Sequence, residues 1–242
     1  VAFAHEHDHF PPHHHRDVRG GGARAAVFGI SDGLVTNVSL VLGMAGASPG
    51  AAIVRLAGVA GLVAGSFSMA AGEYLSMRAQ RELMERELEV ERQALSDNPR
   101  AEAAELRSMY VRRGIEPSVA RDMANEVMQD PELALETHAR EEMGITDQSL
   151  GSPWQAAAAS FVTFAVGAFI PLLPWLLTSG TLAVVLSVVL SGLAALAVGA
   201  VLAAFTERPM VSSALRQLAV TTVAAAVTFG VGRAIGAGTG VS

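Results

Sequence analysis

Residues 56–95 read LAGVAGLVAGSFSMAAGEYLSMRAQRELMERELEVERQAL. Up to Met77 the stretch is apolar apart from Glu73, and from Arg78 onward charges come every two or three residues. No proline separates the halves. The pattern predicts a helix that spans a bilayer, which takes about 20 apolar residues, and continues beyond it as a charged helix. Gly61 and Gly65 give the apolar half the small-residue spacing that lets membrane helices approach closely.

The same division runs through the whole chain. Of 242 residues 51% are hydrophobic, yet residues 154–205 hold no charged side chain, while residues 78–147 hold 17 acidic and 10 basic ones. Mean hydropathy is +0.38. Four further apolar stretches are long enough to span, at about 23–47, 154–177, 181–205 and 211–235. Trp154 and Trp175 mark the ends of the third span as interfacial aromatics do, and Pro171 and Pro174 are expected to kink or end it. The expected fold is therefore an all-α membrane protein. It has five transmembrane helices and a helical insert between helices 2 and 3. Its parts are a His-rich, disordered tail at 1–22, helices 1–2 at 23–77, the acidic insert at 78–150, and helices 3–5 at 151–242. No apolar signal segment is visible in the first 20 residues. The tail packs six of the seven histidines into HEHDHFPPHHH, residues 5–15. That is either a solvated tail or a loose collector of divalent metal.

All 17 basic residues are arginine and there is no cysteine, which excludes disulfides and thiolate chemistry. Arg16, Arg19, Arg24, the ten arginines of the insert, Arg208 and Arg216 lie on one side of the predicted spans, against Arg55 and Arg233 on the other. The positive-inside rule makes the first side cytoplasmic. The expected location is a multi-pass protein of a bacterial cell membrane with N-terminus and insert cytoplasmic. The formal charge of -6 comes mostly from the insert, and such a surface repels nucleic acid and attracts cations. P-loop, HExxH, Gly-x-Ser-x-Gly and Rossmann patterns are absent, which argues against nucleotide-driven pumping within this chain.

Asn98-Pro99, Gly114, Pro117, Asp130-Pro131 and Gly144 divide the insert into short helices. Glu87 and Glu91, and His138 and Glu142, are four residues apart, and Glu102 and Glu105 three apart, so each pair shares a helical face. Carboxylates converging from several helices make an oxygen-rich cation site, and an imidazole shifts it toward first-row transition metals. Glu/Arg-rich helices are more often solvated surfaces with pairs such as Glu82–Arg86. Within the spans, Asp32 is the most informative residue: a carboxylate there costs about 2.5–3.5 kcal/mol and faces a polar path or a partner, the alternative being that the first span starts later and Asp32 sits at its water-exposed end. Glu73 follows the same logic nearer the insert, and Met69 is either packing or a soft ligand.

Three blocks, SDGLVTNVSLVLGMAGA at 31–47, GLVAGSFSMAAGEYLSMRAQRE at 61–82 and GAFIPLLPWLL at 167–177, together resemble the vacuolar iron transporter family, which has yeast and bacterial members. The resemblance covers roughly residues 16–240. It implies a secondary transporter and not an enzyme: a homodimer with a pore at its interface, moving Fe2+ and often Mn2+ out of the cytosol in exchange for protons. No permanently bound cofactor is expected; the metal is substrate, and protons and lipid are the other partners. By motif the resemblance implies Asp32 as the pore carboxylate, Met69 as the pore methionine, and Glu91, Glu102, Glu105 and Glu142 as insert ligands. Gly61 stands where the family's plant member has a second pore carboxylate, with Glu73 as substitute. Ala94 stands where another insert carboxylate is expected, with Glu87 as substitute. His138 and Ala139 stand where paired methionines are expected. A membrane-anchored metal sensor without transport is the rival reading. A ferritin-like oxidase ranks lower, because His138 followed by Glu142 is not the Glu-x-x-His arrangement it needs.

Overall fold

The computed structural model of the chain describes residues 21–47, 50–145 and 151–239, so the histidine-rich segment lies outside the described residues. Among the described residues every regular element is helical: α1 (Gly21–Gly46), α2 (Ala51–Asp97), α3 (Pro99–Arg112), α4 (Pro117–Val127), α5 (Pro131–Glu142), α6 (Pro153–Leu177), α7 (Gly180–Thr206) and α8 (Met210–Thr239). Five of them, α1, α2, α6, α7 and α8, are long and apolar enough to cross a membrane. Helix α1 already includes Gly21 and Gly22, which the sequence assigns to the tail. Helix boundaries read from different criteria commonly differ by a residue or two.

Helix α2 is one unbroken element of 47 residues, about 70 Å at 1.5 Å per residue. It ends at Asn98, where Pro99 cannot continue the ladder and instead opens α3. The Glu116 carboxylate caps α4 by accepting from the N–H groups of Ser118 and Val119, at 3.1 and 3.2 Å. Asp130 caps α5 by accepting from Glu132 and Leu133, at 3.0 and 3.3 Å. Leu106, Met109, Tyr110, Ala120 and Ala124 form a small apolar core that pins α3 to α4.

Helix α6 packs against both α1 and α2, and α8 packs against α1 and α7. Glycine makes the α1–α6 crossing possible. A methyl group built on Gly33 would stand 2.2 Å from the Phe164 carbonyl oxygen, and one on Gly167 would stand 2.2 Å from that of Ile30. The two backbones touch there, as small residues allow in membrane helix pairs. Gly61 and Gly65 serve the same end within this chain: the first faces Leu40 and the second the Phe164 ring.

The helix α6 runs through Pro171 and Pro174 to Leu177, so neither proline ends it. Each lacks an N–H and leaves a carbonyl one turn back without its usual partner, and side-chain donors from neighbouring helices gather at this stretch. Asn37 Nδ2 donates to the Ala168 carbonyl at 2.6 Å and Ser187 Oγ to that of Pro171 at 2.7 Å. At the end of the helix, Arg55 Nε donates to the Trp175 carbonyl at 2.6 Å and Nη2 to that of Thr178 at 3.2 Å. Arg55, which the sequence marks only as a sparse charge, thus caps α6.

Gly167→Ala should destabilise the purified protein by about 1–3 kcal/mol or more, because nothing at the crossing can move aside. Gly230→Ala, where a methyl group meets nothing within 4 Å, should leave the melting temperature unchanged or slightly raised. Thermal unfolding of both variants in one detergent checks the pair.

Candidate metal centre

Three helices bring four side chains to one point. Helix α2 supplies Glu91 from its charged half, 22 residues past Met69. The reversal at Asn98-Pro99 lays α3 back so that Glu102 comes alongside, and α5 adds His138 and Glu142 from one face. One ligand atom from each of these four lies within 4.8 Å of all the others. His138 Nδ1 stands at the centre, 3.1 Å from Glu91 Oε1, 3.1 Å from Glu142 Oε1 and 3.9 Å from Glu102 Oε2. The imidazole is completely buried and Glu91 nearly so, while Glu142 reaches the surface.

These spacings suit a small divalent ion. Donors about 2.1 Å from a first-row metal lie ~3 Å apart when adjacent and ~4.2 Å apart when opposite. The set needs only a slight contraction to close on such an ion. Three carboxylates and an imidazole form a mixed oxygen–nitrogen set, which favours Mn2+, Fe2+ and their neighbours over Ca2+ or Mg2+.

Without a cation the cluster is frustrated. Nδ1 shares a hydrogen bond with Glu142 Oε1 at 3.1 Å. The equally close approach of Glu91 Oε1 is not aligned as a hydrogen bond, and this oxygen and His138 Nε2 are buried without a partner. Burial, and then the Glu142 carboxylate, push the Glu91 carboxyl above the usual carboxylate range; His138 opposes them, and Glu102 and Glu105 add to the rise.

Glu105 therefore acts on the cluster by its charge, but it is exposed and its oxygens are not among the four converging ligands. Glu87 is likewise exposed, a turn before Glu91 and outside the convergent set. The i,i+4 spacing put Glu87 and Glu91 on one face, and the packing of α3 and α5 selects only the second. Glu82 pairs with Arg78 at 2.6 Å and not with Arg86, while Arg81 holds Glu85 at 2.7 Å.

Asp32, Met69 and Glu73 lie in the apolar bundle, each half-buried. Asp32 Oδ1 accepts from Thr36 Oγ1 at 3.4 Å. The antiparallel packing of Gly61 on Asn37 and Gly58 on Val41 sets the register of α1 and α2. Carried toward the insert, it puts Ser66 level with Asp32, Met69 about one turn further and Glu73 about one turn beyond that. At Gly61, where the resemblance leads one to expect a second carboxylate, a methyl group would stand 3.0 Å from Asn37 Oδ1 and 2.3 Å from Leu40 Cδ2. That face of α2 is occupied by α1. Sequence reasoning missed the bond from Gln217 Nε2 to Ser31 Oγ, 2.6 Å, which ties α8 to the residue before Asp32. A lone Gln in the fifth apolar stretch was the available signal.

Because Glu91 holds its proton to a higher pH than an ordinary carboxylate, metal must displace that proton. Mn2+ affinity should fall as pH is lowered through the Glu91 titration, with proton release on binding, and Glu91→Gln should flatten that dependence and weaken binding. Calorimetry in buffers of different ionisation enthalpy reads both. The sign for the metal-free fold is opposite to the usual carboxylate case. The folded state holds the Glu91 proton more tightly than the unfolded chain, so this contribution is fully present below the ordinary carboxylate range and is lost as pH rises through the folded pKa. At neutral pH, metal-free Glu91→Gln should melt higher than the parent, and the metal-induced rise in melting temperature should shrink.

A profile of the VIT family matches residues 23–233. Vacuolar iron transporter 1 of Eucalyptus grandis is 31% identical over 213 residues, 88% of this chain and 86% of the relative. Vacuolar iron transporter 1 of Arabidopsis thaliana is 31% identical over 207 residues, 85% of this chain and 83% of the relative. The vacuolar iron transporter of Acanthamoeba castellanii is 39% identical over 153 residues, 63% of this chain and 55% of the relative. Five membrane-length helices and a match spanning nearly all of them agree, and the chain is a multi-pass membrane protein that belongs to the VIT family.

Proposed function

We propose that this protein exports Fe2+ or Mn2+ from the cytosol in exchange for protons, with the Glu91–Glu102–His138–Glu142 cluster gathering ions for a path past Glu73, Met69 and Asp32. The observation that carries the reading is the cluster itself. One member of that transition-metal donor set, Glu91, sits on the same continuous helix that bears Met69 and Glu73. The names of the relatives, vacuolar iron transporters, support iron as cargo. The arginine distribution supports a cytoplasmic N-terminus and insert. The exposed charges of α3, α4 and α5 would be costly in hydrocarbon, which supports an aqueous insert.

A carboxylate holds either a proton or a metal ion, so Asp32 is a natural exchange point between the two gradients. Moving two positive charges one way and protons the other lowers the net charge transferred. Glu73, between Met69 and the cluster, takes the place of the carboxylate absent at Gly61. We place the pore at the interface of a homodimer, since α2 leaves most of its apolar window uncovered within one chain. Lipid covers the remaining apolar faces.

In proteoliposomes with an imposed pH gradient, the wild-type protein should take up Fe2+ and Mn2+ with opposite proton movement. Asp32→Asn should fall to background while the dimer still assembles, and Glu73→Gln should be slowed. Undiminished flux in Asp32→Asn, or no flux in the wild type beside intact metal binding by the cluster, would leave a metal sensor in place of a transporter.

A further inference from the structure

Helices α7 and α8 meet at residues 206–209 beside a cleft of about 490 Å³ lined by Thr206, Arg208, Ser212, Ser213 and Arg216 among others. The turn lies at the end of the bundle from which α2 runs on into the insert, because α6 leaves that end, α7 returns to it and Arg55 holds α6 at the far end. Both guanidiniums are exposed, and neither makes an ion pair among the described residues. The cleft opens on the first turn of α8, whose leading N–H groups have no helical acceptor. Ser213 is 5% exposed. Whereas the hydroxyls of Thr206, Thr221 and Thr228 bond the carbonyl four residues back, Ser213 makes no such bond among the described residues. Glu207 is the one carboxylate on the turn, and the patch stays net positive.

Two unpaired guanidiniums and the hydroxyl of the buried Ser213, in one cleft at the start of α8, form a receptor for a tetrahedral oxyanion. We propose that this cleft binds a phosphate group, and that its source is the headgroup of an anionic phospholipid. The cleft lies between two apolar helices where apolar surface gives way to charge, which is the depth of a lipid phosphate. Arg216 precedes Gln217, whose amide bonds Ser31 next to Asp32. A headgroup held here fixes the first turns of α8, and through them the segment of α1 that carries Asp32.

The test is thermal unfolding of the purified full chain in detergent, titrated with short-chain phosphatidylglycerol, short-chain phosphatidylcholine, or sodium phosphate at matched ionic strength. Phosphatidylglycerol should stabilise the wild type saturably, and phosphatidylcholine should do so far less. Arg208→Gln/Arg216→Gln should bind phosphatidylglycerol roughly thirtyfold more weakly, and Arg208→Lys/Arg216→Lys should keep most of the affinity. Mn2+ binding at the insert checks that the double variant is folded. The single exposed change Arg208→Gln, expected to lose about fivefold, serves if it is not. Unchanged phosphatidylglycerol affinity in the Gln variants, or equal response to the two lipids, overturns the proposal. Arginine-dependent protection by inorganic phosphate without any by phosphatidylglycerol overturns the lipid source and keeps the phosphate site.

Discussion

The unbroken run of α2 is the constraint on which the rest of the molecule depends. One helix carries Met69 in its apolar half and Glu91 in its charged half, and helical rise sets the two about 33 Å apart. No hinge residue interrupts the run, so the cluster and the bundle cannot move independently along it. The ion pairs that decorate the charged half, Arg78–Glu82 and Arg81–Glu85, are exposed and add little. Stiffness comes from the backbone ladder and from the helices packed against each end.

At the bundle end the packing is close because the backbones touch. Gly33 and Gly167 bring α1 onto α6, and Phe164 fills the space beside Gly65. This is how a bundle without a hydrophobic driving force between its helices gains contact. At the insert end the logic is reversed. Three carboxylates around a buried imidazole repel one another, and the fold holds them together through the α3–α4 core and the caps on α4 and α5. A site arranged in this way is relieved by protons or by a cation, so the affinity it offers a metal depends on pH.

Much of this was legible in the sequence, for physical reasons. Span lengths follow from hydrocarbon thickness, and the turns at Asn98-Pro99 and Asp130-Pro131 follow from the missing proline N–H. The pairing of His138 with Glu142 follows from helical pitch. What stayed hidden depends on tertiary packing. Pitch alone cannot separate Glu91 from Glu87 or Glu102 from Glu105, since each pair shares a face and only the approach of α5 chooses between them. Gly61 and Gly65 announced close helix contacts without saying that α1 fills the first and α6 the second. The Gln217–Ser31 bond joins residues 186 positions apart, and no local pattern carries that information. Pro171 and Pro174 read as breakers because the side chains that bond the carbonyls of this stretch, Asn37, Ser187 and Arg55, sit on other helices.

The account centres on one transition-metal site built by α2, α3 and α5. Anomalous diffraction from crystals of the protein grown with Mn2+, recorded on either side of the manganese absorption edge, tests it most directly. The expected result is a manganese peak bounded by Glu91, Glu102, His138 and Glu142, at about 2.1 Å from each ligand atom. Manganese bound elsewhere on the insert, with His138 Nδ1 still bonded to Glu142 alone, would contradict it.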